Sequence, residues 1–190
     1  PIITHVTVET TGTMLVGSEI GAALAALEPL GVDVVGLNCA TGPDEMSEHL
    51  RYLSKHSRIP VSVMPNAGLP VLGANGAEYP LGPDGLAEAL AGFVREFGLQ
   101  FVGGCCGTTP EHIAKVAEAV AAVTPAQRDP QHESETSSLY TAVPFDQDAS
   151  FLVIAERTNS NGSKAFREAM LAGDYQKCLE IAKDQTRDGA

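Results

Sequence analysis

Three thiols in this chain sit where a reaction could use them. Cys39 follows the largely apolar run 32–37, and Cys105 and Cys106 lie inside Gly103-Gly104-Cys105-Cys106-Gly107, after the apolar run 99–102. Three thiolates hold a zinc ion strongly and leave a fourth position open to a substrate. A thiol entering that position gives its proton up to the metal's charge. It would then be a nucleophile at neutral pH, which suits methyl transfer to sulfur. The plainer alternative is that these are small buried hydrophobic side chains, a common use of free cysteine. That suits Cys178, alone on a helical stretch. It suits poorly a pair between glycines, where missing side chains let backbone approach a site. A fourth protein ligand would instead close the site and make it structural.

These thiols need elements to position them. Residues 1–8 are β-branched and read as a strand, and Ser18 is placed to cap a helix with Ile20, Leu24 and Leu27 on one face. Residues 32–37 read as a strand buried on both faces, ending in Asn38-Cys39-Ala40. Pro43, Asp44 and Glu45 open a helix bearing Met46, Leu50 and Leu53. Residues 59–64 form the next strand, ending in Pro65-Asn66-Ala67-Gly68, and a glycine-rich excursion over 69–82 follows. Pro83 starts a helix with Leu86, Leu90, Phe93 and Phe97. The strand 99–102 then runs into the double cysteine. Thr109 and Pro110 start a further helix, with Ile113, Val116, Val120 and Val123 expected inward.

Alternating strands and helices mean parallel βαβ units, and so an α/β fold. A doubly wound sheet and a (β/α)8 TIM barrel both fit. The special residues favour the barrel, because they all fall at the carboxyl ends of strands, where barrel active sites are built. The expectation is the C-terminal half of a barrel over 1–123, a Pro- and Ser-rich linker over 124–150, and the first βα unit of a second barrel over 151–190. That second unit has a buried-type strand at 151–155, a helix through Leu171, and another helix capped by Asp174. A chain that starts inside a strand, without Met, is expected to be a piece of a longer protein. Half-barrels have unpaired edges, so self-association of the piece, or else partial disorder of the segment beyond the linker, is expected. Helix faces such as Ile20, Leu24 and Leu27 are expected to lack partners.

Charge and composition narrow the partners. A formal charge of −12 argues against nucleic acid and anionic membranes, which need clustered Lys and Arg. No apolar run reaches the roughly 18 residues of a membrane helix. With no secretion signal visible, the four cysteines are expected reduced and the protein cytoplasmic. His5, His49, His56, His112 and His132 show no pairing at ligand spacing and are assigned structural or surface roles.

Gly36-Leu37-Asn38-Cys39, Pro65-Asn66-Ala67-Gly68-Leu69-Pro70 and Gly103-Gly104-Cys105-Cys106-Gly107-Thr108-Thr109-Pro110 resemble the motifs of the homocysteine S-methyltransferase family. The resemblance implies zinc held by Cys39, Cys105 and Cys106. It also implies that Asn66 can approach the metal when homocysteine is absent, although Asn66 could equally serve only to fix its turn. The backbone N–H groups after Cys39, beginning with Ala40, suit a substrate carboxylate.

Residues 151–163 resemble the start of the pterin-binding barrel of cobalamin-dependent methionine synthases, with Ala155 where the usual motif has Gly. There Glu156 would accept N–H bonds from the pterin ring and Asn159 would add a polar contact. Solvated strand-end charges are the alternative. The order zinc barrel, linker, folate barrel belongs to that family. It implies methyl transfer from methyltetrahydrofolate through cobalamin, carried on modules outside this chain, to homocysteine, giving methionine. Two rivals remain. One is a cobalamin-independent homocysteine methyltransferase using betaine or S-methylmethionine. The other is a non-catalytic, zinc-structured interaction domain.

Overall fold

The computed structural model describes residues 1–73 and 76–189. Ala74 and Asn75, inside the 69–82 excursion, and Ala190 lie outside them. The chain divides into two compact units, Pro1–Pro144 and Phe145–Ala190. In the first, β1 (Ile3–Val6), α1 (Ile20–Leu27), β2 (Val34–Asn38), α2 (Pro43–His56) and β3 (Val61–Met64) follow in turn. A small hairpin, β4 (Val71–Gly73) and β5 (Gly76–Glu78), comes next. After it come α3 (Pro83–Phe97), β6 (Phe101–Val102), α4 (Pro110–Ala121) and a second hairpin, β7 (Glu135–Ser137) and β8 (Ala142–Pro144).

β1, β2, β3 and β6 form one parallel sheet in chain order. Val35 pairs with Val61, and Leu37 with Val63. These four side chains are at most 1% exposed and share one core with Leu50 and Leu53 of α2 and Leu86 and Leu90 of α3. Each such leucine contributes roughly 1.5–3 kcal/mol by burial. Between them in β2 stands Gly36, where a Cβ would come within 2.2 Å of the Ser62 carbonyl oxygen. Only glycine lets the two strands approach there.

Helix boundaries follow local chemistry. α2 begins on Pro43 with Asp44 and Glu45 in its first turn and Lys55 and His56 in its last, all favourable to the helix dipole. α3 stops at Gly98, left-handed at φ 64. α4 starts at Thr109, whose hydroxyl accepts from the His112 N–H. Ile113, expected inward, is 44% exposed, while Val116 one turn on is buried. Ser18 does not cap α1. Its hydroxyl donates to the Leu139 carbonyl at 2.5 Å, and the Glu19 N–H donates to the Tyr140 carbonyl.

Those bonds reveal what covers α1. Up to Pro144 the Pro- and Ser-rich stretch is part of the first unit rather than a free tether. The Arg128 guanidinium donates to the carbonyls of Leu53, Ser54, Ser57 and Ile59, at and just beyond the C-terminal end of α2. The Gln131 N–H donates to the Lys55 carbonyl, and the Ser137 hydroxyl to that of Ala22. Carbonyls left over at a helix end need donors, and Arg supplies several at once. Because β7 and β8 lie along α1, Ile20 and Leu24 are buried and Leu27 partly so, contrary to the unpartnered face expected.

The second unit holds β9 (Asp146–Gln147), β10 (Ser150–Phe151), α5 (Lys164–Ala172) and α6 (Tyr175–Arg187). Among the described residues β10 pairs only with β9, antiparallel. The buried strand expected over 151–155 does not form. Phe151 and Ile154 are each 81% exposed, because among the described residues no parallel neighbour flanks them. The helices match expectation more closely: Ser163 caps α5, Gly173 ends it, and Asp174 caps α6.

Candidate metal centre

Each cysteine is set by the backbone of a neighbouring loop. The Cys39 N–H, just past β2, donates to the Met64 carbonyl at 3.1 Å. Cys39 and Ala40 are both left-handed, at φ 63 and 60, the only such non-glycine residues among those described. Each costs on the order of 1–3 kcal/mol, which the surrounding hydrogen bonds must offset. Beyond β6, the Cys105 N–H donates to the Pro65 carbonyl at 2.8 Å and the Cys106 N–H to Asn66 Oδ1 at 3.1 Å. The Ala67 N–H returns to the Cys106 carbonyl, and the Asn66 N–H to the Thr41 carbonyl. Asn66, only 2% exposed, ties the loop after β3 to the double cysteine.

This bracing gathers the three sulfurs. Cys39 Sγ lies 3.7 Å and Cys105 Sγ 3.9 Å from Cys106 Sγ, and all three fall within 4.8 Å of one another. A tetrahedral ion with bonds of about 2.3 Å to sulfur sets its sulfurs about 3.8 Å apart. The donor set therefore fits a thiophilic metal. Among the described residues it is the one cluster of three potential ligands. Asn38 Nδ2 approaches Cys105 Sγ at 4.0 Å. As free thiols the three are unequal. Hydrogen bonds from Cys39 and Cys105 hold the Cys106 thiol below the ordinary range, against a smaller effect of burial. At Cys39 the Ala40 N–H pulls the thiol down, but burial and the two neighbouring sulfurs together push it up.

The remaining candidates behave differently. The Thr41 N–H donates to the Cys39 carbonyl at 2.7 Å and the Gly42 N–H to Glu45 Oε2 at 3.1 Å. Of the amides after Cys39, those of Thr41 and Gly42 are thus already engaged within the chain. In the second unit, Glu156 and Asn159 flank Gly162: a Cβ on that glycine would lie 3.5 Å from Glu156 Oε2 and 3.8 Å from Asn159 Nδ2. Asn159 Oδ1 accepts from the Asn161 N–H, and its carbonyl from Gly162 and Ser163, so it also builds the turn into α5.

Tyr79 escaped the reading of the sequence, yet the neighbouring Cys106 thiol pushes its phenol upward. Its ring lies against Gly107. No spacing rule links a tyrosine in a glycine-rich excursion to a cysteine 27 positions on. His112 is structural. Its Nδ1 takes the Thr109 N–H at 3.2 Å, leaving Nε2 to donate to the Leu81 carbonyl at 3.0 Å.

Known proteins resemble the chain at this site and beyond it. A family model described as homocysteine S-methyltransferase matches residues 1–120. A methionine synthase of Mycobacterium tuberculosis is 76% identical over the whole chain, and one of Mycobacterium leprae 74% identical over the whole chain. In both cases the chain spans 16% of the relative's length. The match covers the elements that carry all three clustered sulfurs, and the chain belongs to the homocysteine S-methyltransferase family.

Proposed function

We propose that this chain carries the thiol-activating site of a methyltransferase that makes methionine from homocysteine, with methyl supplied from methyltetrahydrofolate through cobalamin. The observation that carries the reading is the three-sulfur cluster, spaced for a tetrahedral zinc and built at the carboxyl ends of β2 and β6. A zinc ion bound there supplies Lewis acidity that removes the proton from an incoming thiol. Cys39, Cys105 and Cys106 provide three ligands, and three ligands leave room for the homocysteine sulfur. Asn66 holds the Cys106 backbone, Asn38 approaches Cys105 Sγ, and the Ala40 N–H tempers Cys39. A structural zinc would be expected to have a fourth protein ligand, and among the described residues the cluster has three.

Four parallel strands in chain order, with the site at their carboxyl ends, support the C-terminal half of a (β/α)8 barrel. The convergence of Glu156 and Asn159 at Gly162 supports a pterin-binding role, completed by strands of a second barrel. It also favours the folate-using reading over a betaine or S-methylmethionine donor. Cobalamin would bind outside this chain. Among the described residues no helix is long and apolar enough to cross a membrane, and a cytoplasmic location fits three free thiols held ready for metal.

The test is calorimetry on the intact, zinc-loaded enzyme in buffers of different ionisation enthalpy. Homocysteine binding is expected to release about one proton, since the metal takes its ligand as thiolate. Binding without proton release would leave the metal structural and overturn the reading.

A further inference from the structure

The Pro- and Ser-rich stretch climbs the first unit from one end of the sheet to the other. Its first bonds, from Arg128 and Gln131, reach carbonyls at the C-terminal end of α2. Ser137 then bonds to Ala22 within α1. The turn between β7 and β8 arrives at the N-terminal end of α1, where Ser18 Oγ donates to the Leu139 carbonyl and the Glu19 N–H to the Tyr140 carbonyl at 2.7 Å. Helices that connect parallel strands run back against them, so their N-termini lie at the strands' carboxyl ends. That is the end of the sheet that carries the three thiols. There the stretch meets a second turn. The Gly17 N–H donates to the Met14 carbonyl at 2.8 Å, which leaves Leu15 and Val16 at the tip. Across from it, the Ser138 N–H donates to the Thr141 carbonyl at 2.9 Å, and Ser138 Oγ accepts from the Tyr140 and Thr141 N–H groups at 3.1 and 2.9 Å. The Tyr140 ring packs on Gly17, where a Cβ would lie 3.3 Å from it. Two hydrogen-bonded turns, joined to each other, thus hold Leu15, Val16, Leu139 and Tyr140 outward, each more than half exposed and Leu15 at 89%. Apolar side chains held on fixed turns mark an interaction surface.

We infer that these two turns form a docking surface for the protein module that brings the methyl carrier to the thiols, and that this module meets them with an apolar face rimmed by lysine or arginine. The inference rests on the reading of this chain as the thiol-activating part of a methyltransferase whose carrier is bound elsewhere. Position is the first argument: a body seated on the turns is held at the end of the sheet where methyl is taken up. Charge is the second. No lysine or arginine occurs between residues 1 and 27 or between 129 and 144, and Glu19 stands exposed between the two turns. A basic rim complements that surface and speeds encounter. A second copy of the same surface would instead set like charges against each other. The docking residues take no part in bond making; they hold the carrier's module in place.

The test uses the intact enzyme with the photo-cross-linker p-benzoylphenylalanine replacing Leu15. Irradiation is expected to join position 15 to the cobalamin-carrying module, at an apolar segment flanked by lysine or arginine. Cross-links between two copies, or only to residues 1–190, would overturn the docking surface. A second variant, Leu15→Glu with Leu139→Glu, changes two exposed positions. It is expected to slow single-turnover methyl transfer from the enzyme's own cobalamin about tenfold, as loss of interface anchors does. Zinc content, and transfer from free methylcobalamin added in solution, are expected to stay at the wild-type level. Equal slowing with both donors would place the effect in the thiol site and overturn the docking role, and unchanged transfer from both would overturn it as well. A wild-type enzyme that takes methyl from neither donor would instead overturn the thiol-activating reading, and this inference with it.

Discussion

The two units of this chain carry chemistry-bearing residues of similar type but hold them very differently. In the first, Asn38, Cys39, Asn66, Cys105 and Cys106 follow strands that pair on their flanks, and a core of fully buried leucine and valine lies beneath. In the second, Glu156 and Asn159 follow a segment that has no parallel neighbour among the described residues, and Phe151 and Ile154 are exposed. Among its described residues only Ala169 and Gln185 of α5 and α6 are buried, too little to set a site rigidly. A polar residue at a strand end becomes a positioned group when the strands beside it fix its backbone.

The sharpest way to break this comparison is at the ligands. Cys39→Ala, Cys105→Ala or Cys106→Ala is each expected to cost roughly 3–5 kcal/mol of zinc affinity, about a third of a structural site's binding energy. Chelator competition measures it, and full zinc retention in all three variants would place the metal elsewhere. Glu156→Ala is expected to leave zinc binding unchanged.

Packing gives the next contrast. Leu50→Ala, at a fully buried position, is expected to cost about 2–5 kcal/mol in denaturant unfolding. Ile154→Ala, at an exposed one, is expected to stay within about 0.5 kcal/mol. Equal losses would show that the second unit is as well packed as the first. Arg128→Ala should be intermediate, at about 2 kcal/mol, because four carbonyls around the end of α2 lose a charged donor. Proteolysis within 125–144 is expected to speed up in that variant. An unchanged digestion rate would mean that the stretch is held by its hairpin alone.

The smallest effect is a pH dependence confined to the first unit. Burial lowers the His5 and His49 imidazoles below their ordinary 6.5, at His49 against an opposing pull from Glu48. Both rings therefore favour the fold when neutral. Their contribution is present above pH 6.5 and is lost as pH falls through the lowered folded values. Glu135, raised by burial, works in the opposite sense: its contribution is present below 4.5 and is lost as pH rises through the raised value. Thermal unfolding is expected to show Tm falling as pH drops through the histidine range. His49→Gln should flatten the profile, and an unaltered slope would assign the dependence to other groups.

What could be read from the sequence was local or periodic. Pro43 with Asp44 and Glu45, and Thr109 with Pro110, mark helix starts because capping and dipole effects act within one turn. The thiols were legible because cysteines at the ends of two apolar runs, two of them between glycines, suit a metal site better than packing. Tyr79 was hidden because its approach to Gly107 depends on how a hairpin folds back. The left-handed turn at Cys39 and Ala40 was hidden because neither residue type marks one. The stretch beyond Thr124 looked like a tether because its binding is polar, through Arg128 and hydroxyls to carbonyls, and leaves no hydrophobic period. Residues 151–155 have the composition of a buried strand, but composition cannot supply the neighbours.

The main-chain lacing of the three loops has a consequence in time rather than in space. Cys39 hangs on Met64, Asn66 on Thr41, Cys105 on Pro65, Cys106 on the Asn66 side chain, and Ala67 on Cys106. None of these loops can open without unfastening another. Their five amide protons should therefore exchange with solvent as one protection class, with a single opening rate. The site then has one lifetime: the sulfurs are released together or not at all, and that opening rate caps how fast a bound ion can escape.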